Sequence, residues 1–181
     1  MTKLKRKIVL DLDQTLLCTV DRTIIEHELR RTGTTLNLQY IDSMFNHITY
    51  IRPYLFNFLD YVFSNFDVSI FTASTYDYAH NIVNKLFSNY HLDKVLTQQD
   101  YLDCLVRTRK FKLIDYITQR IPGYTRENTT IIDDNSQVIE SNIGNIIPIK
   151  PFDLLDGSGR LIIGFEQDRE LLLMIEMLKF E

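Results

Sequence analysis

The chain has only two cysteines, Cys18 and Cys104, with no paired spacing between them. This excludes a disulfide framework or a cysteine zinc site and fits a reducing intracellular compartment. A cysteine-based phosphatase needs Cys-x5-Arg, but Cys104 is followed six residues on by Lys110 and Cys18 by Ile24. No apolar run approaches membrane-spanning length. Behind the basic N-terminus, Asp11 interrupts the apolar stretch after three residues, too early for a signal peptide. An excess of positive charge is missing too: 20 Lys and Arg against 24 Asp and Glu give a formal net charge of −4. That argues against generic nucleic-acid binding, which favours a basic surface. Internal repeats, low-complexity tracts and linkers are absent. With 181 residues, 45% of them hydrophobic and 24% charged, the expectation is one soluble domain over 1–181 with a sizeable core.

Strand-like runs alternate with helical patterns, which predicts an α/β fold with a parallel sheet. Core strands are expected at Lys7–Leu10, Asp67–Phe71 and Thr129–Ile132, with shorter ones at Val95–Leu96 and Ile146–Ile149. Pro53 opens a helix whose buried stripe is Leu55, Phe58, Leu59, Val62 and Phe63. A second helix follows Ser74 or Thr75 as cap, with Ala79, Ile82, Val83 and Leu86 inward. Further helices are expected at Phe111–Ile121, ended by Pro122-Gly123, and at Glu166–Phe180. The stretch between the first strand and Ile51 reads as a small β-rich insertion over about 20–51, with strands at Thr23–Leu29, Thr35–Tyr40 and Phe45–Ile51.

The first strand ends in Asp11-Leu12-Asp13. Side chains two apart on a strand point the same way, so both carboxylates would emerge at its C-terminal end, where open α/β sheets bind ligands. Two close carboxylates repel unless a cation or a shared proton relieves them, and an oxygen-only pair suits Mg²⁺. At the second strand end, Phe71-Thr72-Ala73-Ser74 places hydroxyls where a strand turns into a helix, a setting that binds phosphate. At the third, Asp133-Asp134-Asn135-Ser136 adds an acidic cluster. Singly, each has a plain reading as cap or turn. Together and in this order they make a phosphoryl-transfer site. Basic residues cluster at Lys3–Lys7, read as a solvated terminus, and at Arg107–Lys112, read as an anion contact or a solvated helix start. The histidines His27, His47, His80 and His91 lie off these positions.

These motifs resemble the haloacid dehalogenase (HAD) superfamily of phosphohydrolases. Within it, the chain is similar to the branch of RNA polymerase II C-terminal-domain phosphatases and their small relatives. Asp11-Leu12-Asp13-Gln14-Thr15-Leu16 resembles that branch's D-L-D-E-T-L. Arg52-Pro53 with Phe58-Leu59, Phe71-Thr72-Ala73-Ser74 with Tyr78-Ala79, and Asp134-Asn135-Ser136 resemble its R-P-x-x-x-x-F-L, F-T-A-S…Y-A and D-N-S motifs. The resemblance implies a Rossmann-like, doubly wound sheet and an intracellular protein, nuclear or cytoplasmic. It also implies a Mg²⁺-dependent Ser/Thr phosphatase acting on a phosphoprotein or phosphopeptide, such as a polymerase tail. In that reading Asp11 is the nucleophile that becomes an aspartyl phosphate, and Asp13 is the general acid and then base. Thr72 and Ser74 bind phosphate. Mg²⁺ sits among Asp11, the carbonyl of Asp13, Asn135 and, through water, Asp134. A lysine holding Asp11 and the phosphate is either Lys110 or Lys112, and apolar residues at +2 and +5 (Ile114, Ile117) favour Lys112.

Two departures stand out. Gln14 replaces a glutamate of the first motif and is expected to face away from Asp11. Gln98 and Gln99 stand in the segment where small relatives carry a peptide-contacting arginine, which leaves the polymerase-tail specificity open. The insertion lacks the bulk of a full cap, and an open site suits a macromolecular substrate. Two other readings stay in view: a catalytically silent scaffold on this fold, or a phosphatase for nucleic-acid ends or small phosphate esters.

Overall fold

In the computed structural model, which describes residues 6–43 and 45–180, Ile8, Val9 and Leu10 of β1 (Lys7–Leu10) are all buried. A strand covered on both faces needs a continuous apolar run rather than alternation. Then come β2 (Leu17–Asp21), α1 (Arg22–Thr32), β3 (Tyr40–Asp42), β4 (His47–Ile51), α2 (Leu55–Asn65) and β5 (Asp67–Phe71). The chain continues through α3 (Tyr76–Leu86), β6 (Leu92–Leu96), α4 (Gln98–Thr108), α5 (Ile114–Arg120) and β7 (Thr129–Asp133). It closes with α6 (Ser136–Ser141), β8 (Ile146–Pro148), a 3-10 turn at Phe165–Gln167 and α7 (Glu170–Phe180).

The five-stranded sheet has the order β6-β5-β1-β7-β8, parallel throughout. Its period of two sorts the core into two layers. Ile8, Leu10, Val68, Ile70 and Ile132 face α2, α3 and α7, through Leu55, Phe58, Leu59, Val62, Ala79, Ile82, Leu171 and Met174. Val9, Phe71 and Ile131 face the other way, onto Cys104, Ile114, Ile117 and Val138 of α4, α5 and α6. The sheet is therefore doubly wound. β1 lies between β5 and β7, so the strand order reverses there, and Leu10 is in register with both Ile70 and Ile132. The C-terminal ends of these three strands open on one crevice. Among the described residues, no helix is long and apolar enough to cross a membrane.

The insertion differs from its expected form. A three-stranded antiparallel sheet, β2-β4-β3, begins at Leu17, straight after the first motif. Thr23–Leu29 is not a strand but the body of α1. Asp21 caps that helix by accepting from the backbone N–H groups of Thr23 and Ile24 at 2.7 and 3.1 Å, and Gly33 ends it at a positive φ of 67°. Ile25 is buried against Cys18, Val20, Ile48 and Tyr50 of the small sheet, and Leu29 packs at the edge of that cluster. Of Thr35–Tyr40 only Tyr40 is in a strand, and the third expected strand is β4.

Other boundaries also move. α4 was not foreseen. It starts behind Thr97, whose N–H is accepted by Asp100, and places Arg107 in its last turn rather than at a helix start. Arg107 pairs with Asp103 at 2.7 Å. α5 begins only at Ile114, because Lys112 has a positive φ of 41° that no helix allows. Of the basic N-terminal residues, Lys3 and Lys5 lie outside the described residues. Lys7 is not solvated: its ammonium sits 2.5 Å from Asp67 and over the Tyr124 ring.

Candidate active site

Asp11 follows β1 directly, and its N–H is held by the carbonyl of Ile132 on β7. Beyond it the chain turns back: Gln14 has a positive φ of 63°, and the N–H groups of Leu16 and Leu17 both reach the carbonyl of Leu12. Thr15 is fully buried in this turn. Its hydroxyl lies 3.3 Å from Asp11 and 3.0 Å from Asp134. Gln14 donates to Asp153 at 2.5 Å and so faces away from Asp11, as the motif reading expected.

Arg52, just after β4, locks the turn from below. Its buried guanidinium donates to the carbonyls of Thr15 (2.8 Å) and Lys150 (2.9 Å). It also forms a two-pronged ion pair with Asp168 ahead of α7, at 3.0 and 2.9 Å. Planar guanidinium and carboxylate match each other in this fork geometry.

The turn after Lys110 brings Lys112 into the interior, only 4% exposed. Its ammonium lies 2.5 Å from Asp11 and 2.6 Å from Asp133. Buried Asn142 clamps this turn by donating to the carbonyl of Lys112 and accepting from the N–H of Ile114. Cys104 supports it, its sulfur accepting from Leu113 and donating to the carbonyl of Lys110. Lys110 itself is exposed, and of the two lysines Lys112 is the one that meets Asp11.

Carboxylate oxygens of Asp11, Asp133 and Asp134 lie within 4.8 Å of one another. Burial pushes the Asp11 carboxyl well above the usual carboxylate range; Lys112 opposes this and Asp133 reinforces it. Burial, with Asp133 next, likewise raises Asp134. Burial alone would lower Lys112, but Asp11 and Asp133 outweigh it and hold the ammonium charged. One ammonium facing three carboxylates leaves the cluster short of positive charge. A hard divalent cation is the species an all-oxygen cluster of this kind accommodates.

Several expected roles look different in three dimensions. Asp133 belongs to the cluster, although only its neighbours were expected as ligands. It is fully buried, and beyond Lys112 it accepts from the N–H of Asn135 at 2.9 Å. The Asn135 side-chain oxygen caps α6, accepting from Gln137 and Val138 at 2.9 and 3.4 Å. Asp11 and Asp13 line the same cleft, but the Asp13 carboxylate has separate partners: Ser74 and Tyr78 each donate a hydroxyl to it at 2.6 Å. Ser74 is therefore not the cap of α3; Thr75 holds the cap position, with its carbonyl accepting from Ala79 and no side-chain bond. The buried Thr72 hydroxyl accepts from the N–H of Ser74 at 3.0 Å, which leaves its proton to be donated. Thr72, Ser74, Asp11, Lys112 and Asp134 share a cleft of about 150 Å³. At Asp13 it meets a wider groove of about 570 Å³ between α3 and the small sheet, lined by Thr19, Phe45, His47, Asp77 and Gln98. Of the residues that hold the site together, Thr15, Arg52 and Tyr78 were visible only as motif letters, and Asn142 carried no signal at all.

The sequence profile of the NLI interacting factor-like phosphatases matches residues 6–181. A CTD phosphatase-like protein of Invertebrate iridescent virus 6 is 29% identical over 185 residues, covering 96% of this chain and 97% of the relative. Its counterpart in Invertebrate iridescent virus 3 is 28% identical, covering 82% and 84%. In fold, the chain is similar to the fission yeast RNA polymerase II CTD phosphatase Fcp1 bound to beryllium fluoride, with a TM-score of 0.62 and 20% identity. That match covers 96% of this chain, which spans 51% of the Fcp1 chain. A HAD-superfamily hydrolase from Ehrlichia chaffeensis aligns with a TM-score of 0.51 and 16% identity, covering 96% of this chain and all of that one.

Proposed function

The chain belongs to the NLI interacting factor-like phosphatase family, and from that membership and the geometry of the crevice we propose a Mg²⁺-dependent phosphatase that acts on phosphoserine or phosphothreonine in proteins through an aspartyl phosphate on Asp11. Family membership supports phosphatase activity as such. The observation that carries the finer reading is the buried Lys112 bridge between Asp11 and Asp133, with Asp134 alongside.

Asp11 acts as nucleophile, oriented by Lys112 and by the Thr15 hydroxyl. Lys112 and Thr72 bind the phosphoryl oxygens, Lys112 by charge and Thr72 by its free proton. Ser74 orients Asp13 rather than contacting phosphate directly. Asp13 protonates the leaving oxygen and afterwards takes a proton from the attacking water, which frees Asp11. Asp11, Asp134 and Asn135 would hold Mg²⁺ together with the carbonyl of Asp13, and Asp133 adds negative charge behind them. When bound, the ion neutralises the repulsion between a phosphate dianion and a carboxylate nucleophile. The groove that joins the cleft at Asp13 leaves room for chain on either side of a phosphorylated residue.

Hydrolysis of p-nitrophenyl phosphate, measured with Mg²⁺ and with EDTA, tests the reading. Expected is metal-dependent turnover that Asp11→Asn abolishes and Asp13→Asn strongly lowers. A folded protein that binds Mg²⁺ but turns over neither this ester nor a panel of phosphopeptides would sink it.

A further inference from the structure

We infer that Tyr78 is a positioning residue for Asp13, and that Thr19, Thr49 and Ser43 of the small sheet hold it in place as a chain of hydroxyls. The inserted sheet thereby orients the group that handles the leaving-group proton. The inference rests on the reading of Asp13 given above.

The chain is continuous. Tyr78 donates to one oxygen of Asp13 at 2.6 Å, and Ser74 occupies the other at 2.6 Å. The Tyr78 oxygen lies 2.6 Å from Thr19, Thr19 lies 2.7 Å from Thr49, and Thr49 lies 2.5 Å from Ser43. Thr19 and Thr49 are register partners across β2 and β4. The alternation of these strands explains where they point. Cys18, Val20, Ile48 and Tyr50 face the apolar cluster under α1, so Thr19 and Thr49 emerge on the opposite face, towards α3.

The protons of the chain follow from donor arithmetic. In the ionised form that takes the proton from water, Asp13 only accepts, so the Tyr78 proton goes to it. Tyr78 must then accept from Thr19, Thr19 from Thr49, and Thr49 from Ser43. Each hydroxyl has one proton, so the whole run is polarised in one direction, ending on Asp13. Such chains strengthen cooperatively in a poorly solvated setting. Packing between the small sheet and α3 alone would be served equally well by valine at Thr19 and Thr49. A directed run of hydroxyls that ends on one carboxylate serves to fix that carboxylate's position.

The test compares two esters, p-nitrophenyl phosphate with a good leaving group and phenyl phosphate with a poor one. Wild type is set beside Asp13→Asn, Tyr78→Phe, Thr19→Val, Thr19→Ser and the double variant Tyr78→Phe/Thr19→Val, with thermal melting of each. Tyr78→Phe should lower kcat/KM, which reports the step that breaks the ester bond, about 10–100-fold on phenyl phosphate, the worth of a hydrogen bond to a charged group, and far less on p-nitrophenyl phosphate. Thr19→Val should show the same selectivity at about 3–10-fold. Thr19→Ser, which keeps the hydroxyl, should restore wild-type rates. Because Thr19 acts through Tyr78, adding Thr19→Val to Tyr78→Phe should have no further effect. Equal losses of kcat/KM on both esters, or effects that multiply, overturn the inference. If Asp13→Asn discriminates between the esters and Tyr78→Phe does not, the inference alone fails. If Asp13→Asn also lowers kcat/KM on both esters equally, the proton-donor reading of Asp13 fails and the inference falls with it.

Discussion

Replacing Lys112 by methionine keeps most of the apolar stem and removes the charge that faces the acidic cluster. The ammonium lies 2.5 Å from Asp11 and 2.6 Å from Asp133, so both carboxylates lose a buried partner at once. Breaking a buried pair from one side costs about 3–5 kcal/mol. For a chain of this length each kcal/mol is worth about 2–4 °C, so without metal the melting temperature falls by roughly 6–20 °C. The loss also depends on pH. Burial already raises Asp11 in the intact protein, and removing Lys112, which opposes that rise, moves it further up. A carboxyl group raised by folding binds its proton more tightly when folded. Its contribution is therefore fully present below the unfolded-state pKa and is lost as pH rises through the folded-state value. Each proton the variant retains beyond wild type changes the deficit by about 1.4 kcal/mol per pH unit. Asp11 in the intact protein already keeps its proton to about pH 7, so between about pH 7 and 9 the deficit should grow by roughly 2–3 kcal/mol for that proton. Urea unfolding in EDTA, followed by circular dichroism because the chain has no tryptophan, measures this directly. A deficit below about 1 kcal/mol, or one that does not change with pH, refutes the claim that Lys112 compensates buried charge.

The same charge imbalance predicts that Mg²⁺ stabilises the protein: at about 100 times its Kd the gain is about 2.7 kcal/mol, or roughly 5–10 °C. Asp134→Asn should remove most of that shift in a melting experiment with and without EDTA; an undiminished shift would place the ion elsewhere. Arg52→Met strands the Asp168 carboxylate and two backbone carbonyls, and should lower unfolding free energy by about 3–5 kcal/mol in a urea titration. A change within about 0.5 kcal/mol would mean that the guanidinium does not tie the first motif to α7.

The central sheet was legible because burial on both faces demands apolar runs: Ile8–Leu10 and Ile131–Ile132 are uninterrupted, and Val68–Phe71 is broken by Ser69, whose hydroxyl is satisfied by Tyr124. The insertion was not, because its local signals conflict. Thr23, Ile24 and Ile25 are β-branched, and such residues favour strands. What overrides them is the cap: Asp21 satisfies two N–H groups at the start, Gly33 closes the end, and Ile25 and Leu29 share one face four residues apart. Lys112 hid a boundary for another reason. A lysine at positive φ is costly, and its turn exists because Asn142, thirty residues on, holds the peptide in place. Nothing local to Phe111–Leu113 announces that partner.

Within the site, the paired carboxylates were read as a strand-end pair, and the geometry divides them. Alternation would aim Asp11 and Asp13 together only if β1 ran on, but it stops at Leu10 and the carbonyl of Leu12 gathers two N–H groups into a turn. Asp13 therefore leans towards α3, where two hydroxyls meet it, while Asp11 stays with the lysine and the carboxylates of the third motif. The separation has a chemical consequence. A nucleophile must be ionised and compensated by positive charge, whereas a proton donor works best away from that charge, and like groups in one environment could not serve both ends of the reaction. A chain turn of three residues gives two aspartates of the same motif different neighbours. One faces Lys112 and the acidic cluster, the other the hydroxyls of Ser74 and Tyr78.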